Sequence, residues 1–163
     1  MKAATVKMIK ENLKMRSKDE LIEICLNLSK FKKESKEFLT YLLFEADDEN
    51  YYVEGIKEEI NDDFKKINFN NYYYVKKSVR KILRTTKKNI RYSKNKQTEI
   101  ELLLHFCRKL SKLEHVDYEN SVLNKIFFRE INKIKKLVSA LHPDLQYDYE
   151  IEIKEVEINL FNH

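Results

Sequence analysis

The 163-residue sequence has one glycine, one proline, two cysteines and no tryptophan. Sheets and sandwiches turn repeatedly on Gly and Pro, whereas helical hairpins turn on Asn, Ser and Asp, so this scarcity argues for an all-α fold. A single glycine also excludes a Gly-rich phosphate loop and the sixth position of an EF-hand. Apolar runs are short: Tyr41-Leu42-Leu43-Phe44 is far from the length of a membrane span, and no membrane partner is expected. The first residues, Met1 to Lys7, carry no apolar core of a signal peptide. Cys25 and Cys107 both fall on apolar helical faces, which predicts buried thiols and no disulfide framework, as in a reducing cytoplasm.

What is abundant is charge, 36% of residues, with a net value of +5. Its layout is uneven. Residues 45–63 hold nine acids and one base, Lys57; residues 64–98 hold twelve bases and no acid.

Apolar spacing predicts helices over about 3–14, 18–31, 34–46, 50–67, 72–92, 98–113 and 118–141. Two capping boxes, Ser17-Lys18-Asp19-Glu20 and Thr98-Glu99-Ile100-Glu101, open the second and sixth. Asp117 is placed to cap the seventh, and Pro143 to end it. The second helix is expected to bury Leu21, Ile22, Cys25, Leu28 and Ser29; the third, Phe38, Leu39, Leu42 and Leu43. Residues 147–160 alternate Tyr147, Tyr149, Ile151 and Ile153 with acids, slip at Lys154-Glu155, and resume with Val156, Ile158 and Leu160. They read as a bulged C-terminal β-strand, whose open edges predict a homodimer through 147–160.

A repeat is visible. Leu21-Ile22-x-x-Cys25-x-x-Leu28-Ser29-Lys30 returns as Leu103-Leu104-x-x-Cys107-x-x-Leu110-Ser111-Lys112, an offset of twice the helix-pair period of HEAT and armadillo arrays. The expected architecture is one helical domain of three antiparallel hairpins, stacked as a short solenoid or closed as a bundle, with 145–163 extended.

Candidate sites are few. His105-x-Cys107 points two metal-ligand types to different sides of a helix, and Glu101-x-x-x-His105 is one residue too long for a di-iron bundle motif, so neither a metal nor a cofactor is expected. Cys107 reads as core and His105 as surface. No Ser or Cys has a recognisable His partner, which argues against an enzyme. The rows Tyr51-Tyr52 and Tyr72-Tyr73-Tyr74 are expected to close the ends of the core with their hydroxyls in water, base stacking being the other use of such rows.

The 72–92 helix is the most distinctive element. Val75, Val79, Ile82, Leu83, Thr86 and Ile90 share one arc, while Lys76, Lys77, Arg80, Lys81, Arg84, Lys87, Lys88 and Arg91 fill the opposite one. That face suits a phosphate backbone or an acidic protein. Its opposing arrangement is neutralisation by the acidic 50–67 helix through Glu58 and Asp62. The sequence thus favours a helical scaffold for an unidentified protein partner, with sequence-independent nucleic-acid binding as the alternative.

Finally, Ile134-Lys135-Lys136-Leu137-Val138-Ser139-Ala140-Leu141-His142-Pro143-Asp144 resembles the second helix and His-Pro-Asp loop of J-domains, the Hsp70 co-chaperones, with Arg129-Glu130-Ile131 and Asp117-Tyr118 near similar residues of that family. The resemblance implies His142, Pro143 and Asp144 as Hsp70 contacts, aided by Lys133, Lys135 and Lys136.

Overall fold

The computed structural model describes residues 1–113 and 122–161. These form eight α-helices and, among the described residues, no strand. The chain divides into two units, Met1–Ala46 and Asp47–His163. No helix among the described residues is long and apolar enough to cross a membrane.

The first unit holds α1 (Val6–Lys14), α2 (Lys18–Phe31) and α3 (Lys33–Thr40), which runs into a π-helical turn, Tyr41–Glu45. That turn closes when the Ala46 N–H donates to the Tyr41 carbonyl at 2.9 Å. The first capping box forms as expected. The Glu20 N–H donates to the Ser17 hydroxyl at 3.3 Å, and the Ser17 N–H donates to the Glu20 carboxylate at 2.8 Å. That backbone bond, with help from Arg16, lowers the Glu20 pKa. The expected burial does not follow. Ile22, Cys25, Leu28, Leu42 and Leu43 are exposed, and within this unit only Tyr41 is buried. The packed pair α2–α3 offers a single seam, taken by the half-buried Leu21, Ile24, Phe38 and Leu39. The remaining apolar residues of the pair have no second layer within the unit to cover them.

The second unit holds α4 (Glu49–Lys65), α5 (Tyr72–Ser93), α6 (Lys96–Leu110), α7 (Val122–Val138) and α8 (Pro143–Phe161). The helix pairs α4–α5 and α6–α7 pack as hairpins. Tyr52, near the start of α4, donates its hydroxyl to the Asn89 carbonyl near the end of α5 at 3.0 Å, which fixes that pair as antiparallel. Between pairs the register is constant. Lys57–Glu101 (2.9 Å), Asn61–His105 (2.8 Å) and Arg108–Glu152 (2.7 Å) are all 44 residues apart. A constant offset means that α4, α6 and α8 run parallel, side by side in one row. Lys87–Glu130, 43 residues apart, joins α5 to α7 in a second row.

α6 lies in the middle, packed against α4, α5, α7 and α8. Ile100, Leu102, Leu103, Phe106, Cys107 and Leu110 are wholly buried, so it is apolar on nearly every side. The Phe106 ring meets Phe64 of α4 at 5.6 Å between centroids. Truncating a ring so enclosed costs about 3–5 kcal/mol.

Two helix starts differ from expectation. α6 begins at Lys96, where the Asn95 side chain accepts from the Gln97 N–H, and not at the Thr98 box. Thr98 is instead a buried residue whose hydroxyl donates to Glu49 of α4, so its side chain serves packing between helices. Pro143 does not end α7, which stops at Val138; it is the first residue of α8, where a missing N–H costs nothing. The Asp117 cap lies outside the described residues.

The C-terminal strand is absent because 147–160 lies within α8. Leu145, Tyr149, Ile153, Val156 and Leu160 fall at spacings of four, four, three and four, a complete helical stripe, and the last three are buried. The alternation that mimicked a strand adds Tyr147, Ile151 and Ile158, which this helix leaves in water. With its backbone bonded along the helix, 147–160 has no strand edge through which a dimer could pair.

Candidate nucleic-acid interface

The basic face of α5 turns toward α7, and the two helices wall a groove of about 520 Å³. Arg80, Arg84, Lys87 and Arg91 line it from α5; Lys125 and Arg129 line it from α7; Leu83, Val122 and Ile126 form its apolar lining. Lys125 and Arg129, i and i+4 on α7, belong to this site although nothing in their local sequence marks them. Their role depends on α7 lying next to α5, which is a tertiary fact.

Beneath the cations lies the carboxylate of Glu130, which is 0% exposed. Lys87 Nζ stands 2.8 and 2.7 Å from its two oxygens, and Arg129 Nε and Nη2 each lie 2.8 Å from Oε1. Ion pairs of this kind hold Lys87 and Arg129 in place on opposite walls. Among the described residues, six cations thus line the groove and one carboxylate, Glu130, is bonded to two of them.

Glu58 and Asp62 are the two acids through which α4, in the opposing arrangement, would neutralise this face. Asp62 pairs with Lys65 of its own helix at 2.9 Å, and Glu58 forms no ion pair among the described residues. Arg80 and Arg84 likewise form none and are exposed. The other four members of the stripe do not line the groove: Lys77 and Lys81 are exposed, Lys88 is half-buried, and Lys76 Nζ sits 4.9 Å from the centre of the Tyr72 ring.

The tyrosine rows depart from the expected core placement. Only Tyr52 is buried; Tyr51, Tyr72, Tyr73 and Tyr74 are exposed. The last three occupy the first turn of α5, whose cap is the Asn71 side chain, accepting from the Tyr73 N–H at 2.8 Å. A residue in the first helical turn has only part of a helix surface to pack on, so these rings point to solvent.

A second cluster of polar groups lies between α4, α6 and α8. A hollow of about 280 Å³ is lined by Lys57, Glu101, His105, Arg108, Tyr149 and Glu152 among others. His105 is not a surface residue: it is half-buried, with Nε2 2.8 Å from Asn61 Oδ1. Burial, then the nearby Lys109, Lys57 and Arg108, lower its pKa to about 4, so the ring is neutral. Burial also raises the Tyr149 pKa, with Glu101 and Glu152 adding to it. Lys57 is held by Glu54 and Glu101, and Arg108 by Glu152, so the charges of this hollow satisfy one another. Cys107 is buried as expected, and burial drives its thiol pKa strongly up. Among the described residues no group of His, Cys, Asp and Glu is arranged to hold a metal ion.

The His-Pro-Asp segment lies at the α7–α8 turn. His142 and Asp144 are exposed and face each other, with His142 Nδ1 3.4 Å from Asp144 Oδ2. Of the three lysines linked to it by resemblance, Lys133 pairs with Glu99 and Lys135 with Glu157, while Lys136 is exposed.

Compared with family models, with curated proteins and with solved structures, the chain matches none.

Proposed function

We propose that the protein is a non-enzymatic binding module whose second unit stacks helix pairs and holds a nucleic-acid backbone in the groove between α5 and α7. The observation that carries this reading is the set of six cations from two helices converging on one groove, five of them exposed. Like charges gathered this closely repel one another, and a polyanion relieves that repulsion while releasing its own counterions. The 44-residue stagger is close to that of helical-repeat arrays, which act by presenting an extended surface to a macromolecule.

Fluorescence anisotropy with labelled oligonucleotides across a salt series tests the reading. Four to six phosphate contacts give a slope of log K against log salt of roughly −4 to −5 on duplex and −3 to −4 on single strands. The triple change Arg80→Glu, Arg84→Glu, Lys125→Glu abolishes binding while circular dichroism stays unchanged, because all three are exposed and none forms an ion pair among the described residues. Absence of binding at low salt, or binding that survives the triple change, overturns it.

A protein partner is the second reading, and a different observation favours it. Ile22, Leu26, Leu28, Phe31, Leu42, Leu43 and Phe44 are all exposed in the first unit, more apolar surface than one hairpin ordinarily leaves in water.

A further inference from the structure

We infer that the α5–α7 interface takes single-stranded nucleic acid in preference to duplex, the tyrosines at the head of α5 stacking on bases while the arginines hold the backbone. This rests on the proposed nucleic-acid reading and deepens it.

At 100° per residue, Tyr73 lies within about 20° of Arg80, Arg84 and Arg91 around the helix axis. One ring and three guanidinium groups therefore stand in line on one face of α5. From Tyr73 to Arg91 the line runs about 27 Å at 1.5 Å per residue, the length of roughly eight nucleotides at a stacked rise of 3.4 Å. Tyr73 is 59% exposed, with Tyr72 and Tyr74 flanking it at 39% and 49%. Its ring meets the Tyr74 ring edge-on, with centroids 5.6 Å apart, which braces it without covering it. Lys76 sits over the Tyr72 ring, placing a cation beside the aromatic cluster.

Tyr52 supplies the contrast. It is buried and its hydroxyl is satisfied by Asn89, the ordinary arrangement of a structural tyrosine. Tyr72, Tyr73 and Tyr74 are outside the core, so core packing does not account for three adjacent rings at the end of a basic stripe. Base faces are what such rings match, since every base has one and stacking tolerates any sequence. In a duplex those faces are already stacked on their neighbours; only a single strand can offer them.

The test uses the full-length chain with a labelled dT12 strand and a 12-base-pair duplex at fixed low salt. The single strand binds at least fivefold tighter. Tyr73→Leu with Tyr72→Leu weakens dT12 at least fivefold, leaving duplex affinity and the salt slope unchanged, while Tyr73→Phe retains wild-type affinity. The chain has ten tyrosines and no tryptophan, so quenching of tyrosine emission on adding dT12, reduced in the Tyr73→Leu variant, reads the stacking directly. Equal affinity for the two forms, or an unchanged dT12 affinity in the double variant, overturns the inference but leaves the groove reading intact. Absence of binding to either form overturns both.

Discussion

Lys87 of α5 and Glu130 of α7 meet with the lysine nitrogen 2.8 and 2.7 Å from the two carboxylate oxygens, and the carboxylate is sealed from solvent. Removing only the acid leaves Lys87 half-buried without its partner. Glu130→Gln is expected to cost ~1–3 kcal/mol in urea denaturation, less than a fully enclosed pair because Lys87 can swing toward water. The pair Lys87→Met, Glu130→Leu recovers most of that loss, since both partners become apolar and Arg129, the carboxylate's other partner, is exposed to water. A double variant as unstable as Glu130→Gln alone contradicts this account.

Acid sensitivity follows from His105. Its pKa of about 4 in the folded protein lies below the ordinary value near 6.5, so between those limits the unfolded chain binds the extra proton. Stability is therefore fully present above pH 6.5 and declines as pH falls toward 4. Asn61, Lys57 and Glu54 of α4, Glu101, Arg108 and Lys109 of α6, and Tyr149 and Glu152 of α8 surround the ring or its hollow. The lowered carboxyl groups of Glu54 and Asp62 act below 4.5, outside most of that window. Allowing for the exposed part of the ring, the loss is about 1–2 kcal/mol, and His105→Gln removes it. Denaturation midpoints at pH 7 and pH 5 that shift equally in both proteins speak against it.

Backbone conformation offers a pair of stabilising changes. Lys94 caps α5 in the left-handed region, at φ 57°, where a side chain is strained. Gly55, the one glycine, sits inside α4 with open space where a Cβ would go, and its freedom serves nothing there. Lys94→Gly and Gly55→Ala should each stabilise the protein by ~0.5–1 kcal/mol, additively. Calorimetry of the two single variants and the double checks both size and sum.

Thiol chemistry separates the two cysteines. Cys25 is exposed, whereas Cys107 is buried with its pKa pushed up. One equivalent of a thiol reagent reacts quickly with native protein, and the second only after denaturation. Cys25→Ser abolishes the fast phase. Two fast equivalents place Cys107 at the surface and refute the packing of α6.

Much of the helical layout is legible in the sequence because three- and four-residue spacing survives any tertiary context. α2 and α5 fall where Leu21 and Val75 begin their stripes. α8 was obscured because Tyr147, Ile151 and Ile158 interleave an exposed apolar row with the buried one, and the two together imitate a period of two. Pro143 permits either a helix end before it or a helix start upon it, and only packing decides. In the groove, the α5 cations are readable as a stripe. Lys125 and Arg129 are not, since their membership depends on which helix lies next to which. Glu130 left a trace: Ile126, Glu130 and Ile134 share one row of α7, and an acid in an apolar row needs a buried partner.

α6, enclosed by four neighbours, also governs the order in which a growing chain can consolidate. α4 and α5 leave the ribosome complete at Ser93, yet Phe64 has no Phe106 to meet until α6 has followed. During that interval the apolar inner faces of the first pair stand open, and a chain halted before Leu110 keeps them so. Nascent chains truncated near residue 95 should be trapped by a hydrophobic holdase and cleaved readily, as should chains that end after α6 with its faces toward α7 and α8 still open, whereas the full-length chain should not.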